Sequence, residues 1–234
     1  MKDLLERVLA DKPECMMTDI QDTTIYQGTL YRFIVEEYWQ NNASVNIFQV
    51  CGSCHPDYIN SPWIYILTDG KRIKRNLEMF RENPGYYTES ATKDPTMFYT
   101  KHDNVLYLSG DGNHRTAIAK AYFHYIGAEE LKGVKLTDNV IDHALAEAFS
   151  KLQTMCAQIK KPTLIPELIS QLTARDDGAG WQKNRFKLTV KLMNVSSGNI
   201  IFLNTDEIYE LIEEMKSNPL FRMFRSNRYA KFLR

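Results

Sequence analysis

The chain of 234 residues has only four cysteines, eight prolines and eleven glycines, and each shortage excludes a class of protein. Four irregularly spaced thiols (Cys15, Cys51, Cys54, Cys156) do not make a disulfide-stapled secreted scaffold, and they read as reduced cysteines of a cytoplasmic protein. The modest proline and glycine content excludes a collagenous or low-complexity chain. No apolar run approaches the roughly 18–20 residues that a membrane-spanning helix needs. The opening residues, Met1-Lys2-Asp3-Leu4-Leu5-Glu6-Arg7, carry acids and no apolar core, which argues against a secretory signal or a transit peptide. Net charge is missing too: 29 lysines and arginines balance 29 aspartates and glutamates, so the whole-chain charge favours no class of partner.

What is present suits an ordinary folded domain with a smaller appendage, with 44% hydrophobic, 12% aromatic and 25% charged residues. Apolar spacing predicts helices over 2–11 and 28–40, a strand over 44–50, a second strand over 63–67, and a basic helix over 71–82 that Asn83-Pro84-Gly85 ends. Two short strands, 97–100 and 105–108, flank the turn Lys101-His102-Asp103-Asn104. A helix over 116–126 is stopped by Gly127, and a strand at 132–136 precedes a helix from about 138 to 158. Lys161-Pro162 and Pro166 suggest a boundary dividing residues 1–160 from a C-terminal extension, 161–234. There, Asp176-Asp177-Gly178-Ala179-Gly180 reads as a flexible connector, 186–192 and 200–203 as a hairpin, and Asn204 or Thr205 as the cap of a helix reaching about Lys216. The class is therefore α/β (α+β).

One segment carries chemistry. A strand that ends in Ser109-Gly110-Asp111-Gly112 and turns into a helix near Asn113, His114 and Arg115 exposes the first N–H groups of that helix at the positive end of its dipole. Glycines let the backbone come close to a phosphate, and the three side chains that follow add donors. The pattern predicts a nucleotide-phosphate site formed by Gly110, Asp111, Gly112, Asn113, His114, Arg115 and Thr116.

The run from Val105 through Gly110-Asp111-Gly112-Asn113-His114-Arg115 to Lys120 resembles the signature of the ParB/sulfiredoxin superfamily, a strand entering Gly-x-His-Arg and then an alanine-rich helix. The basic helix and strand pair upstream resemble that family's lead-in. Downstream, Tyr125-Ile126-Gly127 and Gly133-Val134-Lys135-Leu136 resemble its helix end and closing strand, for a coverage of about residues 60–150. The resemblance implies a mixed sheet with surrounding helices that binds ATP, ADP or CTP with Mg²⁺, Asp111 lying near the metal or the sugar and His114 and Arg115 serving catalysis. It further implies nucleotide hydrolysis, with nuclease activity, in plasmid or phage biology, as in fertility-inhibition proteins of the Osa type. A phosphotransferase similar to the free-serine kinases is the alternative, with Glu36 or Glu37 as its base, and a regulatory nucleic-acid-binding or inhibitory module without catalysis is another. Two departures narrow the choice. Asn113 occupies the position of the sulfiredoxin cysteine, and Ala146-Glu147-Ala148-Phe149-Ser150-Lys151 has no counterpart of the partition proteins' Glu-Asn-x-x-Arg segment.

The remaining features have plainer readings. Cys51-Gly52-Ser53-Cys54-His55 lacks a second ligand pair for tetrahedral zinc and reads as two thiols at a strand end. His102, His124 and His143 are scattered. Arg222, Arg225, Arg228 and Lys231 recur every third residue among aromatic side chains, a stripe suited to DNA, and Lys183, Arg185, Lys187 and Lys191 add cations nearby. The final 14 residues hold five basic side chains and no acid, so the zero net charge conceals a cationic end on an acidic body.

Overall fold

The computed structural model describes residues 3–158 and 163–216 together with Tyr229 and Phe232. The described residues form two compact units, one from 3–29, 37–140 and 175–183 and the other from 30–36, 141–158, 163–174 and 184–216 with Tyr229 and Phe232. The basic stripe Arg222, Arg225, Arg228 and Lys231 lies outside the described residues, as does Lys161-Pro162. Among those described, no helix is long and apolar enough to cross a membrane.

The first unit begins with α1 (Leu4–Asp11), which buries Leu4 and Val8 one turn apart and ends at Lys12 in the left-handed region. Short pieces follow: α2 (Glu14–Met17), β1 (Gln21–Asp22) and α3 (Thr24–Gln27). The helix expected over 28–40 is instead a 3₁₀ turn, Leu30–Phe33, leading into the long strand β2 (Ile34–Asn46), of which residues from Glu37 onward belong to this unit and 30–36 to the second. Its Ile-Val-Glu-Glu-Tyr-Trp segment is rich in β-branched and aromatic side chains, and sheet pairing overrides the helical spacing of the apolar residues. Glu36 and Glu37 thus stand on a strand. The expected strand over 44–50 is interrupted by a 3₁₀ turn, Ile47–Gln49, which Asn46 caps by accepting from Phe48 N at 2.9 Å, and β3 (Val50–Ser53) comes after it.

The apolar run 63–67 forms a helix, α4 (Trp63–Asp69), because Trp63, Ile66 and Leu67 reach the core at helical spacing. The basic helix α5 (Ile73–Glu82) buries Ile73 and Leu77 and leaves its cations outside, and the single turn α6 (Gly85–Thr88) follows. β4 (Phe98–His102) and β5 (Val105–Leu108) make the expected hairpin, with Tyr99 opposite Leu108 and His102 opposite Val105. α7 (Asn113–Ile126) buries Ala117, Ala119 and Ala121, whose small size lets the helix sit close to its neighbours, and Gly127 ends it with φ of 67°. β6 (Glu130–Ile141) is longer than expected and takes residues 138–141 from the helix predicted there. The strand order in this unit is β1-β3-β5-β4-β6-β2, with β3 parallel to β1 and β5, and β4 antiparallel to β5 and parallel to β6.

In the second unit, α8 (His143–Gln158) starts where Asp142 accepts from Leu145 N at 2.8 Å, and it buries Leu145, Phe149 and Leu152. The strands β7 (Leu164–Gly178) and β8 (Trp181–Asn194), whose residues 175–178 and 181–183 fall in the first unit, form a long hairpin, so Asp176, Asp177 and Gly178 end β7 rather than form a connector, Ala179 and Gly180 make the turn, and Pro166 lies inside β7. β9 (Ile200–Leu203) pairs antiparallel with β8 as expected. Asn204 and Glu207 cap α9 (Thr205–Lys216) reciprocally at 3.0 Å in each direction. Tyr229 and Phe232 are buried, and Asn194 Nδ2 donates to Phe232 O at 2.6 Å.

Candidate phosphate-binding cleft

The first unit carries an open cleft of about 570 Å³ built around the start of α7. β5 delivers the loop to it. Gly112 adopts φ of 132°, a region closed to other residues, and a Cβ there would lie 3.2 Å from Leu108 Cδ2. Phe98 N donates to Asp111 O at 3.2 Å, and Thr116 N makes the first helical bond to Gly112 O at 2.7 Å. No side chain caps this N-terminus among the described residues, so its leading N–H groups keep their capacity for an anion.

Asn113 is fixed by a chain of single commitments. His55 N donates to Ser53 Oγ at 3.0 Å, and Ser53, having one hydroxyl proton, gives it to Asn113 Oδ1 at 2.8 Å. Asn113 is buried at the edge of the cleft it lines.

His114 packs against Tyr58 and the Gly70 position, with His55 behind Tyr58. Tyr58 OH lies 3.2 Å from Nε2, His55 stacks on Tyr58 at 4.7 Å, and the ring sits where a side chain at position 70 would go: a Cβ on Gly70 would come within 3.0 Å of Nε2. Burial, and then the positive charge of His55, Arg72 and Arg115, holds the His114 pKa below the usual histidine value. Burial raises the Tyr58 pKa. The Tyr58 hydroxyl and His114 Nε2 share one hydrogen bond in which either atom can be the donor, according to the ring tautomer.

The cations divide into two kinds. Lys71 pairs with Asp57 at 2.6 Å, whereas Arg72 and Arg75, exposed on and beside α5, line the cleft and form no ion pair among the described residues. Arg115 also lines the cleft, but its Nη1 donates to Tyr86 OH at 3.1 Å and to Pro95 O, and Tyr86 OH in turn donates to Pro95 O at 2.7 Å. Arg115 therefore ties down the 86–95 segment as well as charging the wall.

Of the residues predicted for the site, Asp111, Gly112, Asn113, His114 and Arg115 come together in the cleft. Gly110 packs against Phe98 beside it, and Thr116 is fully buried, its hydroxyl 2.7 Å from Tyr99 OH. Glu36 and Glu37 do not line the cleft. Sequence reasoning missed Ser53, His55, Asp57, Tyr58, Arg72 and Arg75. The basic character of 71–82 was visible, but the facing of Arg72 and Arg75 was not, and Ser53 and His55 were hidden inside the cysteine motif.

The thiols of that motif are engaged locally. Cys51 Sγ donates to Leu106 O at 3.4 Å, Cys54 Sγ lies 3.3 Å from Thr23 Oγ1, and burial raises both pKa values. No cluster of three or more His, Cys, Asp or Glu side chains suited to a metal occurs among the described residues. Farther along α7, the buried Lys120 ammonium lies 4.8 Å from the Trp63 ring, and desolvation lowers its pKa to about 8.

Comparisons with models of protein families, with curated proteins and with solved structures give no match for this chain.

Proposed function

We propose that the cleft binds the phosphate chain of a nucleotide, ATP, ADP or CTP, and that the protein hydrolyses it. The observation that carries this reading is the pair of arginines, Arg72 and Arg75, left without carboxylate partners in the cleft that also contains the uncapped N-terminus of α7. Unneutralised cations beside backbone donors make a site for a multiply charged anion. The Asn113 amide and the His114 ring add polar groups to the lining, and preorganised groups of this kind stabilise charge that develops on transferring phosphoryl oxygens.

A magnesium ion fits this donor set. Mg²⁺ takes one or two carboxylates and completes its shell with water and phosphate oxygens, and Asp111 offers an exposed carboxylate on the cleft lining while Asp57 is held by Lys71. Bound there, the ion would offset phosphate charge. Phosphotransfer to a small hydroxyl compound has less support, because Glu36 and Glu37, its candidate bases, do not line the cleft. DNA binding through the C-terminal stripe concerns residues outside those described.

Thermal-shift and calorimetric titration with ATP, ADP, CTP and GTP, each with Mg²⁺, tests the reading. One of these nucleotides should stabilise the wild-type protein, and Arg72→Ala/Arg75→Ala should weaken its binding by roughly a hundredfold, as expected for the loss of two charge-assisted contacts. Phosphate release should accompany binding and disappear in His114→Ala. A double variant that binds like the wild type, or a wild type that no nucleotide stabilises, refutes the proposal.

A further inference from the structure

The strand β7 runs for 15 residues at the end of its strand order, hydrogen-bonded to β8 on one side and to no strand on the other among the described residues. Such an edge is a template for another strand, and natural proteins blunt it with charge, proline or a bulge. In β7 the blunting residues sit only at the ends: Pro166 and Glu167 near the start, Arg175, Asp176 and Asp177 near the finish. Between them, Leu168-Ile169-Ser170-Gln171-Leu172-Thr173-Ala174 has no charge, proline or glycine, and Leu172 is 50% exposed.

The end charges also have a symmetry. Glu167 and Arg175 stand four residues either side of Gln171 and carry opposite signs. Two copies of the strand laid antiparallel about Gln171 bring Glu167 of each opposite Arg175 of the other. A slip of two residues one way sets Glu167 opposite Asp177, a like-charge clash, and a slip the other way sets it opposite the uncharged Thr173. We propose that β7 is a self-complementary interface through which a second copy of this chain pairs antiparallel about Gln171, extending the β7–β8 hairpin across a two-fold axis. Main-chain hydrogen bonds supply the adhesion and the flanking charges fix the register. The present partners do not stand in the way: Glu167 meets Lys191 at 2.9 Å and Arg175 meets Asp177 at 3.0 Å, both exposed pairs of small energetic value that can take a second partner.

Charge reversal provides the test, read by sedimentation velocity on the full-length protein with circular dichroism as the check on folding. The wild type should be a dimer. Glu167→Arg sets arginine against arginine and Arg175→Glu sets glutamate against glutamate, so each alone should weaken the dimer by roughly tenfold or more. Mixing the two single variants restores both opposite-charge pairs, and a heterodimer of near wild-type strength should form. The double variant Glu167→Arg/Arg175→Glu should dimerise again on its own. A monomeric wild type overturns the proposal and leaves the edge to a partner of another kind. A dimer indifferent to both reversals, or a mixture that stays monomeric, overturns it equally.

Discussion

Two sets of cations in this chain meet opposite fates. In the cleft, Arg72 and Arg75 have no acidic partner among the described residues, whereas along the β7–β8 hairpin Lys191 pairs with Glu167, Arg175 with Asp177 and Arg185 with Glu36. Both sets look alike in the sequence as clusters of basic residues between apolar positions. The structure separates them by whether the countercharge is already supplied. A paired surface cation adds little to stability and less to recognition, while an unpaired one beside backbone donors retains its capacity for an anion.

That contrast can be broken or sharpened in three further ways. The largest effect is expected from Ser53→Ala, which strands the N–H of His55 and the oxygen of Asn113. Unfolding free energy should fall by about 1–3 kcal/mol in chemical denaturation, and nucleotide affinity should fall with it because the Asn113 amide is no longer oriented. An unchanged affinity would mean that the cleft works by the arginines alone. A smaller effect concerns pH. Burial, as the leading cause, depresses the pKa values of both His114 and His102 in the folded protein, so the unfolded chain takes up protons first. Stability should be complete above the ordinary histidine value near 6.5 and should decline as pH falls through it toward the lower folded values. Melts recorded across that window should show a shallower decline in His114→Gln, with the His102 share remaining. The smallest effect belongs to the hairpin: Lys187→Ala/Lys191→Ala should change stability by no more than about 0.5 kcal/mol and leave nucleotide affinity intact. A marked loss of affinity there would erase the distinction between the two sets.

How far the sequence foretells the molecule depends on the range of the interactions involved. The turn from β5 into α7 is readable because local rules decide it: Gly112 supplies a positive φ, the alanines permit close packing and Gly127 stops the helix. The β4–β5 hairpin and the β8–β9 pair are readable for similar reasons. β2 is not, since Leu30, Phe33, Ile34 and Tyr38 have helical spacing and only pairing in a sheet turns 34–46 into a strand. The run at 63–67 is too short for its period to separate strand from helix. In the site, residues contiguous with the loop were foreseen and those brought in from elsewhere were not. Ser53, His55 and Tyr58 reach His114 and Asn113 from about 60 positions upstream, a distance over which no sequence spacing reports.

Gly70 illustrates a different kind of contribution. It offers the cleft no charge and no donor side chain, yet a Cβ at position 70 would lie 2.5 Å from Ile66 O and 3.0 Å from the imidazole of His114. The backbone carbonyl cannot yield, so an added methyl group would crowd the ring, whose Cδ2 and Nε2 would lie 3.0 Å away. Position 70 thus acts as a mechanical stop: a substitution there would leave every functional group of the site present while changing the aim of one of them, separating what the histidine is from where it points.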